Sequence, residues 1–214
     1  ISHAYMHKSI FEHLKIDTNQ KHDSLVMLSR QRRMHPLIAE MISTVFYEGM
    51  ITNSPNVLNH QAKHFDDGEA KYFYDFSTIL GTVDDYESKH TEKHSRYNAY
   101  TAGYVAKLAK LLTKKNPSHS IGIITPYRQQ VYLIKERLKE ITPFGNSNIQ
   151  VGTVHSFQGS EADIIIWDLV DTRNSGFGRL FKGETGERLT NVAISRAKAL
   201  LIIIGDKGIV TESS

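Results

Sequence analysis

Residues 121–125 read Ile-Gly-Ile-Ile-Thr, a short β-branched run that is typical of a buried strand. Two longer apolar runs follow, Ile-Ile-Ile-Trp at 164–167 and Leu-Leu-Ile-Ile-Ile at 200–204. Nearly continuous apolar runs favour strands covered on both faces, as in a parallel sheet between two layers of helices. Two further strands are predicted at 150–154 and, nearer an edge of the sheet, at 72–76.

Amphipathic segments alternate with these strands. Apolar residues recur at three- and four-residue steps in 98–114 and 128–141, which indicates helices with one core-facing stripe. Further helices are predicted at 36–46, opened by Pro36, and at 189–198. The alternation predicts an α/β fold with a mostly parallel sheet and helices on both faces. Three stretches carry turn residues and are predicted as surface loops, the last of them mobile: 52–68, 81–94 and 171–187.

The composition is that of one globular domain. The chain has 214 residues, 40% of them hydrophobic and 23% charged, and we expect residues 1–214 to form a single domain. The absence of cysteine excludes disulfides and thiolate metal sites. No apolar run is long enough to predict a membrane span, and no secretory signal is visible, so a cytoplasmic protein is expected. The missing initial Met suggests a piece of a longer protein.

Two kinds of catalytic motif are absent from the sequence. No glycine begins a G-x-x-x-x-G-K-[ST] phosphate-binding loop, and no strand ends in a pair of carboxylates that could hold magnesium. The chain is therefore not expected to hydrolyse a nucleotide unaided. Three H-x-x-x-H pairs could clamp zinc if they were helical, but none has an obvious third ligand. These pairs are His3/His7, His60/His64 and His90/His94. We expect no metal site and keep a zinc-dependent nucleic-acid enzyme as an alternative function.

Three segments carry candidate binding residues, and each also has a purely structural interpretation. Residues 28–36 place three arginines before the Pro36 helix; guanidinium groups bind phosphate well, but a solvated basic turn is equally consistent. Residues 151–161 combine hydroxyls, Gly159 and Glu161 after a strand, where parallel sheets place ligands, although Gly159 could be a simple turn. In 188–198, Arg196 is expected to project from the end of the sheet or to cap a helix C-terminus.

Taken together, these segments resemble the second RecA-like domain of superfamily 1 helicases, in the branch of the nonsense-mediated-decay helicase. Residues 31–36 match the family's Q-Y-R-M-H-P, and 121–127 match V-x-I-I-T-P-Y. Residues 153–161 match T-V-[DH]-S-F-Q-G-x-E, and 189–198 resemble R-L-N-V-A-[IL]-[ST]-R-A-[RK], with agreement from Asn191 to Lys198. The resemblance covers nearly the whole chain. It implies a RecA-like three-layer sandwich that forms the C-terminal motor domain, with the N-terminal P-loop domain absent from this chain.

The resemblance also implies a nucleotide site shared by two domains. ATP and Mg²⁺ would be held mainly by the missing N-terminal RecA-like domain. Arg33 and Arg196 would reach the γ-phosphate as catalytic arginine fingers, which stabilise the charge that develops during phosphoryl transfer. Glu161 would bind the ribose, with Gly159 allowing close approach, and Gln31 would shape the base pocket. Arg32 stands where the family usually has an aromatic that stacks on adenine, and its guanidinium plane could stack instead.

Single-stranded DNA or RNA is the partner that the resemblance implies. The expected contacts are in two groups, from residues 125–127 and from the start of 153–161: Thr125, Pro126, Tyr127, Thr153, His155 and Ser156. Hydroxyls and backbone N–H groups that grip phosphates do not read sequence, so sequence-tolerant binding is expected. Because Thr153 and Glu161 belong to one strand–turn unit, we expect that unit to couple the nucleotide to the strand. The alternative function is a non-catalytic RecA-like scaffold that binds nucleic acid.

Overall fold

A computed structural model of the chain describes residues 27–60, 71–75, 89–90, 95–115, 117–141 and 148–212. Five strands form one sheet in the order β3-β9-β8-β6-β7, and every neighbouring pair is parallel. The strands of this sheet are β3 (Lys71–Asp75), β6 (Ile121–Thr125), β7 (Ile149–Thr153), β8 (Ala162–Asp168) and β9 (Ala197–Gly205). The predicted strand at 72–76 is confirmed as an edge strand.

Two small sheets and six helices complete the described part of the chain. β1 (Arg30–Gln31) pairs in parallel with β2 (Thr52–Asn53), and β4 (Lys89–His90) pairs antiparallel with β5 (Arg96–Tyr97). The α-helices are α1 (Pro36–Phe46), α2 (Pro55–His60), α3 (Ala99–Lys115), α4 (Arg128–Ile141), α5 (Gly183–Ile194) and α6 (Lys207–Glu212). Short 3₁₀ helices occupy His155–Phe157 and Arg179–Phe181.

Side chains of β8 alternate between two cores because successive residues of a strand point to opposite faces. Ile165 and Trp167 pack with α1 and α5, and Ile164 and Ile166 pack with α3 and α4. All four side chains are at most 1% exposed. Helices therefore cover both faces of a parallel sheet, and the predicted three-layer α/β fold of the RecA-like type is confirmed.

The last of the predicted helices, at 189–198, differs from the helix that the structure shows there. α5 begins at Gly183 rather than 189 and ends at Ile194, so Ala197 and Lys198 belong to β9. Much of the stretch predicted as a mobile loop is consequently ordered structure. Apolar packing just before the helix explains the difference. The Phe181 ring packs edge-on against Trp167, with 6.1 Å between the ring centroids. A larger residue at 186 would collide with the backbone of Phe181.

The segment between β7 and β8 crosses the sheet from one edge to the other. β7 and β8 are parallel and lie on opposite sides of β6, so the chain must return from the carboxyl edge to the amino edge over one face. The Phe157 ring, fully buried, anchors this crossing above Gly122. Thr153 pairs with Thr125 at the carboxyl edge, whereas the residue after Glu161 pairs with Ala197 at the amino edge. The segment 151–161 therefore spans both edges of the sheet, and only its first residues lie at the carboxyl end of β7.

Among the residues that the structure describes, no helix has the length and apolar composition that crossing a membrane requires.

Candidate functional site

One carboxylate at the amino edge lies between two cations from different segments. Glu161 Oε2 accepts a hydrogen bond from Arg33 Nε at 2.6 Å, and its Oε1 is 2.8 Å from Lys198 Nζ. Lys198 first, and then Arg33, lower the pKa of Glu161 below its ordinary value. The three side chains are 31–40% exposed, so water and dissolved anions can reach the cluster.

Backbone contacts bring Arg33 to this edge. The N–H of His35 donates to the carbonyl of Lys198 at 2.6 Å, which joins the start of α1 to the start of β9. Met34, 7% exposed, anchors the same turn in the core. Arg33 Nη1 also donates to the carbonyl oxygen of Ser195 at 3.3 Å. Residues more than 160 positions apart in the chain thus meet at one rim of the sheet.

Gln31 organises the turn that carries Arg33. Its Oε1 accepts the N–H groups of Arg33 and Met34, both at 2.8 Å. Its Nε2 donates to the Met34 carbonyl at 2.8 Å and to Asn53 Oδ1 at 2.6 Å. The amide is thereby committed to the loop itself, so any effect of Gln31 on a base pocket acts through the shape of this turn.

Arg196 joins the cluster through backbone contacts. Its Nε donates to the carbonyl of Val192 at 3.0 Å, and its Nη1 donates to the carbonyl of Ser160 at 3.4 Å. The first contact caps the C-terminus of α5, as one of the two sequence interpretations expects. Burial, followed by the positive charge of Arg33, lowers the pKa of Arg196. Arg33 contacts Glu161 and the carbonyl of Ser195, and Arg196 contacts the carbonyl of Ser160, so both guanidinium groups lie on the same rim of the sheet.

The amino edge therefore carries an excess of positive charge. Arg33, Lys198, Arg196 and Glu161 together have a formal charge of +2, and Asp163 on the same edge, whose pKa is also lowered in part by Lys198, reduces the sum to +1. Within the described residues, Arg196 has no carboxylate in salt-bridge contact. A cluster of this kind binds a polyanion such as a phosphate chain, because guanidinium forks match phosphate oxygens.

Two other predicted nucleotide contacts are exposed. The side chain of Arg32 lies on the surface one residue before Arg33. Gly159 is exposed and has φ +87°, a left-handed conformation that glycine adopts without strain. No neighbouring atom lies within 4 Å of the position that a Cβ of Gly159 would take. The backbone here is therefore open to a ligand, as close approach requires.

At the carboxyl edge, the side chains expected to touch nucleic acid are largely inside the protein. Thr125 is 0% exposed, Tyr127 is 7% exposed, and only Pro126 between them is half-buried. The Tyr127 hydroxyl donates to Asp171 Oδ2 at 2.8 Å, and burial followed by Asp171 raises its pKa well above the ordinary value. Their burial does not support strand contacts through the side chains of Thr125 and Tyr127, because both face the core.

Asp171 is the centre of a buried network at this edge. Its Oδ1 accepts from Arg96 Nη1 at 2.7 Å, and its Oδ2 accepts from the N–H of Gly178 at 2.8 Å in addition to Tyr127. Arg96 also donates to the carbonyl of Gly176 at 2.6 Å. The network therefore ties β5 and the segment after β6 to the glycine-containing loop that precedes α5.

A second buried carboxylate lies at the end of β8. Asp168 Oδ2 accepts from Gln130 Nε2 at 2.7 Å and from Thr101 Oγ1 at 3.1 Å. Burial is the main reason that the pKa of Asp168 rises to about 6, and the nearby charge of Asp171 acts in the same direction. These donors are neutral, so they stabilise the ionised carboxylate less than a cation would.

The remaining candidates for a strand contact lie at the start of the crossing segment. His155 and Ser156 are exposed, and Thr153 is half-buried at the end of β7. Ser156 Oγ donates to the carbonyl of Thr153 at 2.8 Å and so closes the turn. An exposed hydroxyl and imidazole with half-buried Pro126 nearby leave this surface open to a partner.

The zinc hypothesis finds no support in the described part of the chain. No group of three His, Asp or Glu side chains there could hold a metal ion. Each H-x-x-x-H pair includes at least one residue outside the described residues.

Sequence reasoning did not single out three residues that organise the site. Lys198 had a readable signal, since it lies two residues after Arg196 and side chains two positions apart share a face in extended chain. Arg96 and Asp171 had none, because a buried salt bridge between distant loops leaves no local pattern in the sequence.

Comparison with known proteins shows the family of the chain. A family model described as "AAA domain" matches residues 6–208, nearly the whole chain. The chain belongs to the AAA domain family. Curated relatives include proteins named as helicases and a homologue of regulator of nonsense transcripts 1, and together with the family model they support membership of superfamily 1. The resemblance stated from the motifs is thereby confirmed.

The relatives are longer proteins. A probable helicase of Dictyostelium discoideum is 32% identical over 93% of this chain and 19% of its own length. An uncharacterized ATP-dependent helicase of Methanocaldococcus jannaschii is 30% identical over 96% of this chain and 30% of its own length. The regulator of nonsense transcripts 1 homolog of Arabidopsis thaliana is 31% identical over 87% of this chain and 15% of its own length. The chain thus spans less than a third of each of these proteins.

Among solved structures, the helicase domain of Hef from Pyrococcus furiosus aligns with 55% of this chain and 28% of that chain. The TM-score is 0.32 at 14% identity, so the fold assignment depends on the strand order rather than on this likeness.

Proposed function

We propose that this chain is the C-terminal RecA-like motor domain of an ATP-dependent helicase or translocase that acts on single-stranded DNA or RNA. The observation that carries the proposal is the meeting of Arg33 and Arg196 at one rim of the sheet, beside the Glu161 carboxylate. An N-terminal P-loop domain would present ATP and Mg²⁺ to this rim. A cytoplasmic protein is the simplest setting for such a motor.

The rim has the charge that phosphoryl transfer requires. Negative charge is spread over the transferring phosphoryl group in the transition state, and cations fixed in place stabilise it. Arg33 and Arg196 are the two guanidinium groups proposed to do so. Backbone carbonyls hold Arg196 in position before a ligand arrives, which reduces the conformational entropy that binding removes.

Glu161, Gly159 and Arg32 are proposed to bind the nucleoside. The Glu161 carboxylate can accept hydrogen bonds from the ribose hydroxyls. The exposed backbone at Gly159 permits close approach, and the Arg32 plane can stack on the base. The residues present do not fit a magnesium site here, because the carboxylate of this cluster is already neutralised by two cations. Magnesium would therefore be bound by the P-loop domain.

The strand track is proposed to lie at the opposite, carboxyl edge. His155, Ser156, Thr153 and Pro126 would contact the backbone of the strand there. The buried pair Thr125 and Tyr127 would contribute by shaping the loop. Parallel strands rise about 3.3 Å per residue, so the two edges are roughly 15–20 Å apart. The crossing segment from 154 to 161 joins them and is the proposed coupling element.

Mutation of the two arginines tests this function. In a protein that joins this chain to a P-loop domain, Arg196→Ala and Arg33→Ala should each lower kcat for ATP roughly 10³-fold or more, with a modest change in KM, because the fingers act mainly in the transition state. Steady-state ATPase assays with single-stranded nucleic acid measure this. Arg188→Ala is the matched control, since Arg188 is exposed on α5 and pairs only with Glu184 among the described carboxylates. Turnover within tenfold of the unchanged protein in either variant would remove that residue from the finger role.

A further inference from the structure

The contact between Arg33 and Glu161 competes with the role proposed for Arg33. Its Nε donates to Glu161 Oε2 at 2.6 Å, and a guanidinium that turns its fork toward a phosphate gives up or weakens this contact. Glu161 must nevertheless stay in place if it is to accept hydrogen bonds from ribose. A second cation that stays on Glu161 when Arg33 turns to the phosphate would meet this requirement.

Lys198 has the geometry of such a partner. Its Nζ is 2.8 Å from Oε1, the oxygen that Arg33 does not use. Among the groups that lower the pKa of Glu161, Lys198 has the largest effect, larger than that of Arg33. Each of the two cations therefore contacts a different oxygen of the carboxylate.

The backbone beneath Lys198 is held firmly. Ala197 and Ala199 on either side are at most 2% exposed in the core, and the carbonyl of Lys198 accepts the N–H of His35. The base of the lysine side chain is thus fixed in a buried strand, whereas Arg33 lies in a turn before α1.

We propose that Lys198 is the positioning residue for Glu161: it holds the carboxylate for the ribose when Arg33 leaves Glu161 to bind phosphate. The inference rests on the proposed nucleotide site. Lys198 does not contact the reacting atoms in this scheme and acts only through Glu161.

A sugar-dependent comparison tests the inference. KM is measured for ATP and for 2′,3′-dideoxy-ATP in a protein that joins this chain to a P-loop domain. A carboxylate that accepts from the ribose should make the dideoxy nucleotide roughly tenfold weaker, since hydrogen bonds to charged groups are the stronger kind. In Lys198→Met this ratio should fall close to one, because KM rises for ATP and hardly changes for the dideoxy nucleotide. Lys198→Arg, which keeps a charged donor, should restore most of the ratio.

Controls separate positioning from general charge and from unfolding. Lys107→Met removes an exposed lysine on α3 that is outside the Glu161 cluster, and should leave the ratio unchanged. Thermal unfolding checks that each variant is folded, and Lys198→Gln replaces Lys198→Met if the latter is not. A ratio near tenfold in both the unchanged protein and Lys198→Met would overturn the positioning role of Lys198 but leave the ribose contact standing. A ratio near one in the unchanged protein would refute the ribose contact itself, and the positioning role with it.

Discussion

At the amino edge of the sheet, the Glu161 carboxylate is 40% exposed and contacts both Arg33 and Lys198. At the carboxyl edge, Asp171 is 0% exposed, and among the described residues its cationic partner is Arg96. Both carboxylates accept an arginine at less than 3 Å. The difference is in what surrounds them. Solvated partners can be exchanged for a ligand at small cost, whereas a buried pair is strongly destabilised when one member is lost. The amino edge is therefore suited to binding a ligand, and the carboxyl edge to holding loops in place.

The largest effect is expected from the carboxyl edge. Asp171→Ala should lower the free energy of unfolding by about 3–5 kcal/mol, because Arg96 would remain buried without its carboxylate. The Tyr127 hydroxyl and the N–H of Gly178 would also lose their acceptor. Urea denaturation measures the change. Glu140→Ala is the matched control, since Glu140 also pairs with an arginine but on the surface, and it should change stability little. A loss below 1 kcal/mol in Asp171→Ala would contradict the structural role of this network.

The pH dependence should have opposite signs at the two edges, and Asp168 gives the larger effect. Its pKa in the folded protein, about 6, is above its ordinary value of 3.8, so the folded state binds the proton more tightly. Stability should therefore fall as pH rises from about 4 through 6, by up to about 3 kcal/mol relative to Asp168→Asn. Denaturation of both proteins across this range gives the difference. Equal pH dependence of the two would show that Asp168 does not titrate in this way.

Glu161 should give the smallest effect. Its lowered pKa makes it stabilising above its ordinary pKa, and that contribution is lost as pH falls through the folded value. The pairs are half-exposed, so Glu161→Gln should cost less than about 1 kcal/mol, and added salt should reduce the cost further. The same denaturation assay, at low and high salt, measures it. A cost that matched Asp171→Ala would remove the distinction between the two edges.

The layers of the fold were predictable because they depend on local patterns. The bounds of α1, α4 and β6 agree with the prediction to the residue. The prediction failed at α5, because the segment before it contains glycines and charges and is ordered only by packing of Phe181 against Trp167. A tertiary contact of this kind overrides weak local propensity.

For the candidate site, the sequence by itself determined which side chains are present and in what order: two arginines, a glutamate and a glycine in motifs that resemble one family. Only the tertiary structure decided where they meet. The crossing over β6 carries Glu161 to the amino edge, while Thr153, only eight positions earlier, stays at the carboxyl edge. Motif spacing does not contain the strand order, and strand order is set by how buried faces pack. For the same reason, Lys198 and the Asp171 network became visible only once distant segments were in contact.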